Sequence, residues 1–155
     1  MLKKVQNARQ HWGEVDTILN RWLLERQNLI AQYCHLSRRF TSNAEARHVL
    51  SDFCEVLMDY LSAGHFEIFS ELEAEARTFD ARGIHLVQAL YPYLQQSTEI
   101  ALAFNDECQR LIEAQAALTP LRAQLSYLGE CLTDRFELED QLIEYVHTAS
   151  APKQH

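Results

Sequence analysis

Glycine and proline are scarce in this chain, at 4 and 3 among 155 residues. A fold built from tight turns needs more of both, which argues against a turn-rich β architecture. Basic side chains are the minority sign: 14 Lys and Arg stand against 22 Asp and Glu, for a formal net charge of -8. Phosphate contacts require Lys and Arg, so direct nucleic-acid binding is not expected. No apolar run approaches the roughly 20 residues that span a bilayer. The opening residues Met1 to Asn7 are charged and lack an apolar h-region, so no signal peptide is expected and the chain reads as cytoplasmic. The four cysteines, Cys34, Cys54, Cys108 and Cys131, form no CxxC pair and read as reduced, mostly buried thiols. HExxH, GxSxG and glycine-rich phosphate loops are missing too, so neither an enzyme nor a cofactor is expected.

What is present is apolar content of 47% arranged with helical spacing. That composition supports a folded domain, expected over residues 1–149 with a frayed tail over 150–155. A short accessory helix is expected over 2–11, ended by Gly13. Asp16 or Thr17 then caps a long helix to about Ser37, with a stripe of Val15, Ile18, Trp22, Leu29, Tyr33 and Leu36. Ser42 with Glu45 forms a capping box for the next helix, where Leu50, Phe53, Leu57 and Leu61 share a face. That pattern can continue through Gly64 to about Arg77. A further helix carries Leu86, Leu90, Leu94, Ala101, Phe104 and Leu111, with Pro92 inside it predicting a kink or a break. Thr119-Pro120 opens the last helix, whose stripe is Leu121, Leu125, Leu128, Leu132, Leu142 and Val146. The sum is an all-α antiparallel four-helix bundle with a short accessory N-terminal helix.

Three charges fall where a core should be. At about 100° per residue, Arg26 lies within the stripe of Trp22, Leu29 and Tyr33. Arg135 and Glu139 fall among Leu128, Leu132 and Leu142. Two readings stay open: a buried Arg–Glu network that fixes helix register, or an open end of the bundle whose wet cleft these groups line. The helix after Ser42 shows the reverse pattern. Asp52, Glu55, Asp59, Ser62 and Phe66 share the face opposite Leu50, Phe53 and Leu57. A carboxylate stripe is often only a solvated face, but an aromatic at its end is typical of protein–protein contacts. Ser62, Ala63 and Gly64 leave little bulk beside it. Gly64 serves either close helix packing or a kink. His65 is a switch, a ligand or an ordinary packed residue.

Bundles can hold two metals with one ExxH on each of two helices. Two such spacings occur, Glu45 to His48 and Glu144 to His147. Both are rotated away from the apolar stripes, so a metal-binding or redox bundle is the weaker alternative and no metal is expected.

The segment Asp59-Tyr60-Leu61-Ser62-Ala63-Gly64-His65-Phe66, preceded by Leu50-Ser51-Asp52-Phe53-Cys54, resembles the signature of the Rsd/AlgQ family of bacterial transcription regulators. Leu125-Ser126-Tyr127-Leu128-Gly129-Glu130 and Arg135-Phe136-Glu137-Leu138-Glu139-Asp140 agree with it, as do Arg21-Trp22-Leu23, Arg26, Leu29, Tyr33, Pro92 and Leu94. The loops near 38–46 and 73–83 depart from the pattern. The resemblance implies an all-helical anti-sigma factor. Such a protein binds the C-terminal region of the primary sigma factor, which reads the −35 promoter element, and keeps it from core RNA polymerase. It also implies possible secondary partners, the phosphocarrier HPr or a (p)ppGpp synthetase/hydrolase, and a monomer or weak homodimer. The matched residues Asp59, Leu61, Ser62, His65 and Phe66 carry over as the partner face. Asp52, Glu55 and Asp59 would pair with Arg or Lys, and Leu61 and Phe66 would anchor. Arg26, Arg135 and Glu139 would shape or support the cleft.

Overall fold

The computed structural model describes the backbone of residues 2–39, 44–64, 69–71, 74 and 81–150, with side chains at 17–39, 45–64, 69–71, 74, 82–145 and 147–148. Four long helices account for most of this: α1 (Leu2–Arg38), α2 (Ala44–Ala63), α3 (Ala81–Glu113) and α4 (Leu121–Ser150). Each packs on the next, and α4 returns to α1. Contacts run in opposite senses along α1–α2 and α1–α4: Trp22 meets Tyr60 while Tyr33 meets Phe53, and Arg26 meets Asp140 while Tyr33 meets Leu125. The architecture is thus an antiparallel all-α bundle, as the leucine spacing implies.

The expected accessory helix is not separate. One helix of 37 residues runs through Gly13. A glycine costs about 1 kcal/mol relative to alanine in a helix interior. That is small once a helix is nucleated, because each further residue adds a hydrogen bond at little cost. Pro92 does not divide α3 either. Both Pro92 and Gln88, whose carbonyl loses its partner to the proline ring, lie on the exposed face. Water can satisfy that carbonyl there, so the helix continues. The start of α2 at Ala44 agrees with the capping box, although Ser42 itself lies outside the described residues. The expected tail beyond Ser150, and much of the pattern beyond Gly64, also lie outside them.

The α3–α4 turn has a defined chemistry. Ala116 N–H donates to Leu111 O and Gln115 N–H to Ile112 O, with Gln115 at φ 52°. That is a Schellman termination in which glutamine holds the left-handed position usually given to glycine. Arg47 Nη2 of α2 donates to the carbonyls of both Gln115 and Ala116 at 3.1 Å, tying the turn to the neighbouring helix.

The buried side chains form one cluster. Phe53 lies edge-on to both Tyr33 and Phe104, linking α1, α2 and α3. The Cys54 and Cys108 thiols are buried, and hydrogen bonding to Cys54 followed by burial pushes the Cys108 thiol up. Buried thiols of this kind pack as small apolar groups.

Two glycines set helix approach. A Cβ on Gly64 would lie 3.2 Å from Trp22 Cζ2, so its position serves close packing of α2 on α1. A Cβ on Gly129 would overlap the Tyr33 hydroxyl oxygen. That hydroxyl donates to Leu125 O at 2.9 Å. Gly129→Ala must expel the tyrosine ring and break this bond. A loss of about 1–3 kcal/mol is expected in urea unfolding. Unchanged stability would show that α1 and α4 are not in this contact.

Candidate partner face and the buried ion network

α2 presents the acidic stripe outward. Asp52, Glu55, Asp59 and Ser62 are all exposed. Their spacing of three, four and three places them along one side of the helix, over about 15 Å at 1.5 Å per residue. His48 lies 3.7 Å from Asp52 and is its only ion-pair neighbour among the described residues. Glu55 and Asp59 have no ion pair among those residues. A row of solvated carboxylates without internal cations keeps its attraction for an external one.

Leu61 is not part of this surface. It is 5% exposed and continues the Leu50, Phe53, Leu57 stripe into the core. The expected apolar anchor is therefore a packing residue. A sequence match cannot say which way a side chain points, whereas the four-residue step from Leu57 does. His65 and Phe66 lie outside the described residues.

The three buried charges form a closed network at the end of the bundle to which α2 runs. Glu139 is fully buried, Arg135 is 2% exposed and Arg26 is 9% exposed. Glu139 Oε1 accepts from Arg26 Nη2 at 3.0 Å and from the Tyr60 hydroxyl at 2.6 Å. Its Oε2 accepts from Arg135 Nε at 3.1 Å. Arg26 Nε donates to the Tyr60 oxygen at 3.1 Å, and its Nη1 to Asp140 Oδ1 at 2.6 Å. Arg135 Nη1 reaches α3, donating to Leu94 O at 3.0 Å, Ser97 Oγ at 2.9 Å and Thr98 Oγ1 at 2.7 Å. Rings sandwich the cations: Arg26 Cζ lies 4.8 Å from the Phe136 centroid and 5.4 Å from Trp22. Arg135 Cζ lies 5.5 Å from Phe69. Trp22 in turn stacks on Tyr60 at 4.8 Å, and its Nε1–H donates to Tyr60 O.

The open-cleft reading of Arg26, Arg135 and Glu139 is thus corrected. The charges balance: two guanidinium groups face two carboxylates. Burial pushes the Glu139 carboxyl up, and Arg135, the Tyr60 hydroxyl and Arg26 pull it down. The net direction is upward, although both arginines and the Tyr60 hydroxyl donate to it and so suit its carboxylate form. Burial also pushes the Tyr60 hydroxyl up, with Glu139 adding to the effect, so Tyr60 remains a donor. Buried ions survive only when paired and hydrogen-bonded, and here one constellation ties all four helices together.

Tyr60, Ser97, Thr98 and Asp140 are members that the wheel reading overlooked. Tyr60 sits seven residues after Phe53 and three after Leu57, squarely in a core stripe. Ser97 lies between Leu94 and Ala101 in another. A hydroxyl on an apolar stripe was the available signal. The four residues of the two ExxH spacings, Glu45, His48, Glu144 and His147, are all exposed. Among the described residues no three His, Cys, Asp or Glu groups converge as metal ligands, and no helix is long and apolar enough to cross a membrane.

Comparison with known proteins gives the same family that the residues suggested. The family model described as "Regulator of RNA polymerase sigma(70) subunit, Rsd/AlgQ" matches residues 1–147. The Regulator of sigma D of Yersinia enterocolitica is 30% identical over 152 residues, covering 94% of this chain and 89% of that protein. The Regulator of sigma D of Pectobacterium atrosepticum is 31% identical over 152 residues, covering 95% of this chain and 99% of that protein. The match spans all four helices, and the chain belongs to the Rsd/AlgQ family of regulators of the RNA polymerase sigma(70) subunit.

Proposed function

We propose that this protein binds the C-terminal, promoter-reading region of the primary sigma factor on the outer face of α2 and so withholds it from core RNA polymerase. One observation carries the reading: Asp52, Glu55 and Asp59 form an exposed acidic row, and Glu55 and Asp59 have no cation of their own among the described residues. A protein region that docks on DNA phosphates must be basic. A row of carboxylates at helical spacing can occupy the same Lys and Arg side chains. Ser62 at the end of the row is small and exposed, so a partner backbone can come close. The mechanism is competition for a surface and needs no covalent chemistry.

The buried network supports this face indirectly. Tyr60 adjoins Asp59 and is fixed by Glu139 and Arg26. The α2 register, and with it the spacing of the acidic row, is therefore set by the core. A site held on a rigid element pays little ordering entropy on binding.

The test is titration calorimetry of the sigma C-terminal fragment into the full chain. A stoichiometric complex is expected, weakening at least about tenfold between 50 and 300 mM salt because exposed ion pairs are screened. A complex indifferent to salt would point to an apolar interface elsewhere, and no complex at all would remove the reading.

A further inference from the structure

A second surface of this bundle has no part in that reading. Between α3 and α4 runs an open groove made of two adjoining hollows, of about 410 and 220 Å³. They share Ile100 and Tyr127, so they form one furrow. Its first half is apolar, with Ala103, Phe104, Ala123 and Leu128 around the shared pair. Its second half is mixed, with Tyr93, Cys131 and Leu138 beside Glu130 and Asp134. Tyr93 is 62% exposed and Tyr127 53% exposed, unusual for aromatic rings with room to bury.

From the structure we infer that this groove docks an amphipathic helix of a partner protein, apolar along one face and rich in Lys or Arg at one end. Shape supplies the first part of the argument. Tyr93 and Ile100 on α3, and Tyr127 and Asp134 on α4, are each seven residues apart. Such a spacing on two antiparallel helices makes a seam that receives the knobs of a further helix. From Tyr93 to Phe104 the seam is about 16 Å long at 1.5 Å per residue, room for about eleven residues of helix.

Charge supplies the second part. Glu130 and Asp134 are exposed at one end of the groove and have no ion pair among the described residues. Among the described residues the one cation lining that end, Arg135, is 2% exposed and committed to Glu139, Ser97, Thr98 and the Leu94 carbonyl. One end is therefore negative and the other greasy, which gives an incoming helix a direction as well as a face. A second copy of this acidic chain is a poorer occupant, since 22 carboxylates against 14 cations repel their like. α2 packs between α1 and α3 and lies diagonal to α4, so its acidic row and this groove open on different sides. Both can be filled at once.

The test uses two fluorescein-labelled 18-residue helices with the same leucine face, one with three lysines at one end and the other with three glutamates there. Anisotropy titration against the full chain is expected to show the lysine helix binding at least about tenfold more tightly. Tyr127→Glu should weaken it at least about tenfold, and Glu130→Lys with Asp134→Lys should reverse the preference between the two peptides. Glu55→Lys with Asp59→Lys should leave it unchanged, which separates this groove from the α2 face. Equal binding of both peptides, no binding of either, or indifference to Tyr127→Glu would overturn the inference. So would a dimer in sedimentation equilibrium that Tyr127→Glu dissolves, for the groove would then belong to a second copy.

Discussion

Glu139→Ala is expected to lower unfolding free energy by about 3–5 kcal/mol, the largest effect of any single substitution outside the apolar core. The glutamate is fully buried and answers two guanidinium groups and a tyrosine hydroxyl at once. Its removal leaves Arg26 with Asp140, whose side chain is 60% exposed and screened. Arg135 keeps neutral acceptors on α3 but loses its counter-charge. An uncompensated buried cation costs far more than the pair contributed, because the desolvation penalty stays while the attraction goes. A control separates this account from simple cavity formation. Replacing Arg26 and Arg135 by Met together with Glu139→Leu and Tyr60→Phe removes the buried charges along with the hydroxyl that pairs with them, and should recover most of the loss. Urea unfolding at neutral pH measures both variants. A loss below about 1 kcal/mol for Glu139→Ala would mean the network does not hold the bundle.

Reversing two charges on α2, Glu55→Lys with Asp59→Lys, should weaken the sigma complex at least about a hundredfold while leaving helicity unchanged. Each reversal removes an attraction and installs a repulsion against a basic partner, about 1.4 kcal/mol or tenfold apiece. Both side chains are exposed and unpaired among the described residues, so folding has little stake in them. Glu113→Lys at the exposed end of α3 is the control for Glu55→Lys alone, since it changes net charge equally and lies off the face. Should Glu113→Lys weaken binding as much, long-range net charge rather than the α2 row would be responsible.

The class of fold could be read from the chain because leucines at threes, fours and sevens leave little choice of secondary structure. The position of Arg26, Arg135 and Glu139 inside that pattern was equally legible. Whether they faced water was not, because the wheel shows direction but not what closes over it. The closing groups are Trp22, Phe69 and Phe136 with the hydroxyls of Tyr60, Ser97 and Thr98, drawn from four segments far apart in sequence. Leu61 belonged to two patterns, the core stripe and the family signature, and packing decided for the first. Gly13 misled because a local propensity of about 1 kcal/mol was set against a helix already nucleated. The α3–α4 groove left no trace in the sequence, since Tyr93, Ile100 and Tyr127 become neighbours only when two helices lie side by side.

Taken together, the core network fixes where α2 stands, and α2 carries the acids that meet the partner. The most direct test of that link is amide chemical-shift mapping of the labelled full chain titrated with the sigma C-terminal fragment. The largest changes should fall on α2 around Asp52, Glu55, Asp59 and Ser62, with the Tyr93 and Tyr127 amides little moved. A saturable complex that shifts the α3–α4 amides and leaves α2 still would contradict the account.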